Sequence, residues 1–346
     1  MNSKWSHDDL KNLDEVPEFR PSLSEFKDFA KWIEDCENKS GTAGAFKVIP
    51  PKRWIARKEG YKNIDISVQK PIEQNVWGSN GIYELMYILR ESRSLKSYSK
   101  SVVPSKSDFF EIEKTFWRTL KLNAPLYGAD IEGSLMDTGI SWNLAELDTI
   151  LSDGLNGTNL SGINVPYIYI GNWKTMFGWH KEDLDLYSIN YLHEGAPKFW
   201  YWIDLDSSED FEEFVRKSYP DKFEKCSEYL RHKNTLIHPA VLLKNGIKVR
   251  RVCQKPGEFV IPRATGYHSG FNAGFNIAEA VNFAIFNWLE NIASKVKFWN
   301  CIKDSVKINM SNFCENLIKK YKHGRGKQQI KMVKTLKKVL EDDKSK

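Results

Sequence analysis

A histidine and a glutamate, His180 and Glu182, stand two residues apart in the stretch GWHKEDLDLYSINYLHEGAPKFWYW at 178–202. In a strand, residues i and i+2 project from one face, so an imidazole and a carboxylate spaced this way can approach one point. They are two members of the 2-His-1-carboxylate set, which holds Fe(II) and leaves coordination positions open. The third ligand must come from elsewhere, and GYHSGFN offers His268 between two strand candidates. A His-x-Glu pair by itself is more often two surface groups than a metal site, so its neighbours carry the weight. An iron oxygenase of this type needs a cosubstrate that chelates the metal and carries a distal carboxylate, as 2-oxoglutarate does. A buried cation must meet that carboxylate. Lys198 sits among rings in KFWYW, with Asn190 eight residues earlier and Trp200 at the same strand parity. Lysine amid aromatics is either a snorkelling edge residue or a desolvated anion partner. The loop HEGAPK can fold the second strand back beside the first, which would bring these groups into one pocket.

The elements that must position them follow from periodicity. Residues 160–204 read as short strands (VPYIYIG, LYSINYL, KFWYWI) separated by turn residues, and strands return with VRRVCQ, GEFVIP and AEAVNFAIF. Upstream, Phe26, Phe29, Ala30 and Ile33 fall at helical spacing behind a cap at Ser22 or Ser24. The stretch Gly41–Gly44 ends that helix, and AFKVI forms a short strand. A helix is predicted at about 108–122, another helical region at 208–233, and an exposed Ser/Lys-rich loop at 92–107. After 290 the chain reads as helical, with an apolar stripe at Ile330, Val333, Leu336 and Leu340. The order is helices, a central block of strands, then helices. This predicts an α+β chain whose centre is a β-sandwich or barrel.

Composition narrows the setting. The chain has 346 residues, 13% of them aromatic, and five scattered cysteines, an odd number that suits a reducing compartment better than a disulfide framework. No apolar run approaches the roughly 20 residues that cross a bilayer, and the first residues lack the apolar core of a secretory signal. The net charge of +6 lies entirely in residues 321–346, which hold nine Lys/Arg against three acidic residues. That tail is either a solvated basic helix or a contact with nucleic acid.

Several long ordered motifs together resemble the JmjN/JmjC histone lysine demethylases, most closely the trimethyl-lysine demethylase group that pairs both modules. Residues 19–54 look like JmjN. YGADIEGS at 127–134, the run from Tyr167 to Tyr201, CSEYLRHK at 226–233 and GYHSGFNAGFNIAEAVNFA at 266–284 look like the body and the JmjC module. The resemblance implies a double-stranded β-helix, a cupin-like jelly roll, with a JmjN module over 16–57 and a mixed connecting region over 58–133. A catalytic domain over 134–300 and a helical region with a basic tail over 301–346 complete the expected order. It also implies that His180, Glu182 and His268 bind Fe(II), and that Tyr127 and Lys198, with Asn190 beside them, hold 2-oxoglutarate between walls of Phe177 and Trp200. Gly162, Tyr167, Tyr169, Glu182 and Asn282, with Ala280 and Val281, would line the methyl-lysine pocket.

The activity implied is Fe(II)- and 2-oxoglutarate-dependent demethylation of tri- or dimethylated lysine on histone H3, at tail position nine or thirty-six. It would take place in the nucleus, with chromatin, and DNA through the tail, as partners. A catalytically silent chromatin-binding regulator and a protein hydroxylase are the competing classes. The first is disfavoured because every metal ligand and Lys198 is present, the second because Tyr169 and Asn282 are. Two departures from the pattern stand out. Relatives carry a structural zinc site of Cys-x5-His and a later Cys-x-Cys. Here Cys226 and His232 match the first half, but the second reads Trp299-Asn300-Cys301, so three zinc ligands remain and the pair can equally be ordinary core residues. Pro262 stands in the strand leading to His268, where a proline can shift the approach to the metal.

Overall fold

The structure, a computed structural model, describes residues 5–98, 108–296, 306–323 and 327–344. Two strands set the architecture. Tyr187–Gly195 and Lys198–Ile203 are buried at nearly every residue, which suits strands covered on both faces. They do not form a hairpin. Gly195, with φ 98°, turns the chain where a Cβ would lie 2.3 Å from the Phe275 carbonyl oxygen, and the chain passes from one sheet into the other. Tyr187–Gly195 belongs to a ten-stranded sheet, between Asn276–Phe283 and Phe259–Pro262. Lys198–Ile203 belongs to a five-stranded sheet, between Val249–Gln254 and His268–Asn272. The expectation that HEGAPK folds one strand back beside the other is thus corrected: the strands come from different sheets. Val252, Trp200 and Trp202 of one sheet pack against Ala45 and Val260 of the other, and this contact is the interior of a jelly roll.

Met176–His180 completes the small sheet by pairing with His268–Asn272, and Tyr167–Gly171 flanks Asn276–Phe283 in the large one. The stretch GYHSGFN, read from sequence as a link between strands, is therefore a strand of its own. Its glycines hid it, and Gly270 explains why they are there. A Cβ at this position would stand 2.1 Å from the Phe199 carbonyl oxygen and 2.5 Å from the Phe177 ring, so the strand is glycine-bearing because it is crowded.

The N-terminal segment is built into the roll. Ala45–Val48 pairs with Phe259–Pro262 and extends the large sheet. The helix before it runs Phe29–Lys39, capped by Asp28, whose carboxylate accepts from Lys31 N at 3.2 Å. The predicted caps Ser22 and Ser24 instead precede a single 3-10 turn, Glu25–Lys27. Glu37 on this helix reaches under the sheet to Arg263 and to the Tyr187 hydroxyl. One core cluster draws on residues from Phe26 to Val339.

Elsewhere the reading is amended in detail. The hairpin Ile72–Ser79 and Ile82–Leu89, turned by Asn80 and Gly81 in left-handed conformation, extends the large sheet and was not predicted. The 92–107 loop begins as strand and helix to Tyr98, which is buried, and 99–107 lie outside the described residues. The helices Phe109–Arg118 and Lys327–Lys344 are present. The latter buries Leu336, as the predicted stripe has it, leaves Val333 half-buried, and adds Met332 and Val339. The side chains of Ile330 and Leu340 are outside the described set.

Because Gly270 admits no side chain, Gly270→Ala should lower stability by about 1–3 kcal/mol. The urea unfolding midpoint measures this, and an unchanged midpoint would show that the neighbouring strands of the small sheet can give way at this level.

Candidate metal and anion site

The interior between the sheets is lined by alternate residues of each strand, except that a β-bulge between Phe177 and His180 brings both of these inward. From the small sheet come Phe177, His180, Lys198, Trp200 and His268; the large sheet brings Tyr167, Tyr169, Ser188, Asn190, Ala280 and Asn282. Their other-face neighbours Phe199, Tyr201, Trp179 and Phe271 form a separate aromatic core outside the small sheet.

His180, Glu182 and His268 converge, and their ligand atoms all lie within 4.8 Å of one another. The route differs from the predicted one. His180 is the last residue of its strand, and Glu182, still extended at φ −65° and ψ 154°, opens the turn Asp183–Asp185. His268 begins its own strand opposite His180. Each imidazole is oriented by its own chain: His180 Nδ1 lies 2.7 Å from the Gly178 carbonyl and His268 Nδ1 3.1 Å from that of Gly266. A carbonyl can only accept, so both Nδ1 atoms carry the proton and both Nε2 lone pairs face the centre, as metal ligation requires.

Burial, reinforced by the neighbouring His268 and Lys233, holds His180 well below the usual histidine range, so it stays neutral. Burial also lowers His268, against the pull of Glu182. For Glu182 burial favours the acid. His268 and Lys233 beside it and hydrogen bonds from Ser188 and Asn282 outweigh it, and its pKa falls below the ordinary value. Ser188 Oγ donates to Glu182 Oε1 at 2.7 Å, while His268 Nε2 is 3.6 Å from the same oxygen. Two neutral imidazoles and one carboxylate in a buried cluster form a donor set that fits a divalent metal with open positions.

Beyond the histidines lies a cation. Lys198 is 2% exposed, and its ammonium faces the rings of Phe177, Trp200 and Tyr127 at 5.5, 5.7 and 6.0 Å. No carboxylate pairs with it among the described residues, and burial alone pushes its pKa down to about 7. Asn190 is also buried, and its Oδ1 has no hydrogen-bond partner among the described residues. Phe177 and Trp200 stand between the two charged parts. Their rings are 4.8 Å apart, each about 6 Å from the His268 ring, and the Trp200 indole is anchored on Gln254 at 2.9 Å. An unpaired ammonium and an unpaired amide oxygen in one apolar interior fit a bound anion with a hydrogen-bonding group.

The other predicted residues divide. Tyr167 and Tyr169 lie opposite Ala280 and Ala278 on the interior face of the large sheet. Asn282 reaches Glu182, and Gly162, at φ +74°, lies so close to Tyr167 that a Cβ would be 2.6 Å from its ring. Val281 does not join them. It faces the opposite side of the sheet and is packed in the main core with Ile189, since strand parity sends neighbours 280 and 281 to opposite faces. Pro262 leaves the metal approach intact. It ends its strand opposite Ala45, and Arg263 N resumes bonding to the Gly44 carbonyl at 3.0 Å. Cys226 and His232 are brought together, Sγ to Nε2 3.4 Å. Trp299 and Cys301 lie outside the described residues.

Sequence reasoning missed Ser188, Asp130 and Lys233. The Lys233 pKa is raised because Asp183, Glu182 and Asp130 outweigh its burial. Lys233 directly follows the quoted His232, so the motif contained it, but nothing in its spacing shows what it faces.

Comparison with known proteins adds the lineage. Residues 167–283 match the family described as "JmjC domain, hydroxylase". The chain is a JmjC-domain protein. It is 41% identical over 324 residues to lysine-specific demethylase 4B of Mus musculus, covering 89% of this chain and 30% of that relative. It is 40% identical over 308 residues to lysine-specific demethylase 4D of Rattus norvegicus, covering 85% and 60%. A third relative, probable lysine-specific demethylase 4F of Homo sapiens, is 41% identical over 283 residues, 79% of this chain and 44% of that protein. The chain thus spans less than two thirds of the length of each. The JmjC domain spans all three metal-binding candidates and Lys198.

Lys198 generates a pH prediction. Its folded pKa lies below its unfolded value of about 10.4, so between about pH 7 and pH 10 the unfolded chain binds the extra proton and stability rises with pH. In ligand-free protein, Lys198→Met should therefore raise the urea midpoint most at pH 6–7, and the gain should shrink towards pH 10. A gain independent of pH would mean that the ammonium is not desolvated.

Proposed function

We propose that this protein is an Fe(II)- and 2-oxoglutarate-dependent demethylase of tri- and dimethylated lysine on histone H3 tails, at position nine or thirty-six. His180, Glu182 and His268 would hold the iron, while Lys198 and Tyr127 would hold the distal carboxylate of 2-oxoglutarate, with Asn190 beside it. Bound iron, with O2 and 2-oxoglutarate, supplies the oxidation of an N-methyl group, with succinate, CO2 and formaldehyde released. The observation that carries this reading is the buried, carboxylate-free Lys198 one aromatic layer from a His-Glu-His cluster. A plain metal-binding cupin has no use for that ammonium, whereas a dicarboxylate cosubstrate turns its desolvation from a cost into a charge-assisted hydrogen bond.

The protein's own residues do the rest. Phe177 and Trp200 keep water from the space between lysine and metal, and the two Nδ1 contacts fix the imidazoles. On the substrate side Gly162, Tyr167, Tyr169, Ala280, Asn282 and the Glu182 carboxylate would surround the methylammonium, with oxygen atoms making C–H contacts. Asp130 and Glu132, the anionic groups that raise the Tyr167 pKa after burial does, favour a cationic peptide on this side. Work on histones would place the protein in the nucleus. The exposed Lys334, Lys337 and Lys338, on the face of their helix away from buried Leu336, suit phosphates of DNA.

Mass spectrometry on a panel of methylated H3 peptides, with Fe(II), 2-oxoglutarate and ascorbate, tests the reading. Stepwise loss of methyl groups that needs both cofactors is expected, with His180→Ala inactive but folded, and the responding peptide names the lysine. Lys198→Ala should raise the 2-oxoglutarate requirement more than tenfold; an unchanged requirement would remove the cosubstrate assignment. Peptide binding without methyl loss would favour the regulator.

A further inference from the structure

Glu182 opens a turn that the chain would not adopt unaided. Leu184 and Asp185, neither of them glycine, have left-handed backbone at φ 55° and 51°, a conformation that persists only where surroundings impose it. Within the turn Asp185 N donates to the Glu182 carbonyl at 3.1 Å, and the Trp288 indole donates to that of Leu184 at 3.1 Å. The firmest grip comes from outside. One Arg231 guanidinium nitrogen donates to the Glu182 carbonyl at 2.6 Å and another to Asp185 Oδ1 at 2.8 Å. Arg231 is 6% exposed, and Lys181 lies 3.3 Å from the same Asp185 oxygen.

From this we infer that Arg231 is a positioning residue for the metal site: by clamping the main chain of Glu182 and the side chain of Asp185 together, it fixes the direction in which the Glu182 carboxylate points. The inference rests on the metal-site reading above. A guanidinium suits the task because its planar fork makes both bonds with one rigid group, which an ammonium cannot do. Arg231 lies in the turn Tyr229–His232, between Cys226 and His232, so the clamp also ties that segment to a metal ligand. A purely structural arginine would support the turn without affecting how well the folded site binds metal; a positioning one changes metal affinity in protein that is still folded.

The test uses the full chain, stripped of metal and titrated with Mn(II) by electron paramagnetic resonance, with the thermal midpoint of the metal-free protein recorded alongside. Arg231→Met should weaken Mn(II) binding about 10- to 100-fold, the range typical of partners that orient a ligand, while the metal-free midpoint moves by only a few degrees. Arg231→Lys should recover part of the affinity. Binding within twofold of wild type in Arg231→Met overturns the proposal. If that variant fails to fold, Arg231→Lys decides on the same twofold criterion. Wild type that does not bind Mn(II), or His180→Ala that binds equally well, overturns the metal-site reading itself and is distinguishable from both.

Discussion

The structure is organised around an ammonium that the fold removes from water without a carboxylate partner among the described residues. An isolated buried lysine costs several kcal/mol, and the protein meets that cost to keep Lys198 between Phe177, Trp200 and Tyr127. Covering this cation takes two sheets, because one face of one sheet cannot desolvate a side chain of that length. The crossing from one sheet to the other at Gly195 therefore has functional consequences: it sets Lys198 and Asn190 on opposite walls of one interior.

The same enclosure governs the metal ligands. Burial keeps both histidines neutral and would favour the acid form of Glu182 as well, were it not for Ser188, Asn282, the adjoining His268 and the Lys233 cation. The site thus needs polar groups at the carboxylate and apolar ones around the imidazoles, and it obtains them from different sheets. Asn282 and Ser188 are partners on adjacent strands of the large sheet, while the small sheet supplies His180, His268 and the aromatic wall. The N-terminal segment contributes indirectly, since Ala45–Val48 pairs with the strand that leads towards His268.

Where the sequence reading failed, it failed on geometry. The glycines of GYHSGFN read as a linker because composition cannot distinguish a glycine needed for a turn from one needed for contact, and only the Phe199 carbonyl beside Gly270 makes the distinction. Val281 was grouped with its neighbour Ala280, but strand alternation sends it into the core. The hairpin at 72–89 escaped notice because its faces are only partly apolar, with Trp77 and Leu89 exposed.

By itself the sequence determined the chemistry: a histidine and a carboxylate two residues apart, a second histidine in a glycine-rich stretch, and one lysine among aromatic residues. These are choices of residue type and local spacing, and they survive any repacking. Tertiary structure decided what those groups face. That Glu182 sits on a turn rather than a strand, that Lys233 and Arg231 act on it from a distant segment, and that Lys198 has no counter-charge among the described residues are facts about desolvation and distance. Both depend on which strands become neighbours, and the pairing of strands some 70 residues apart is not written in any local pattern of the chain.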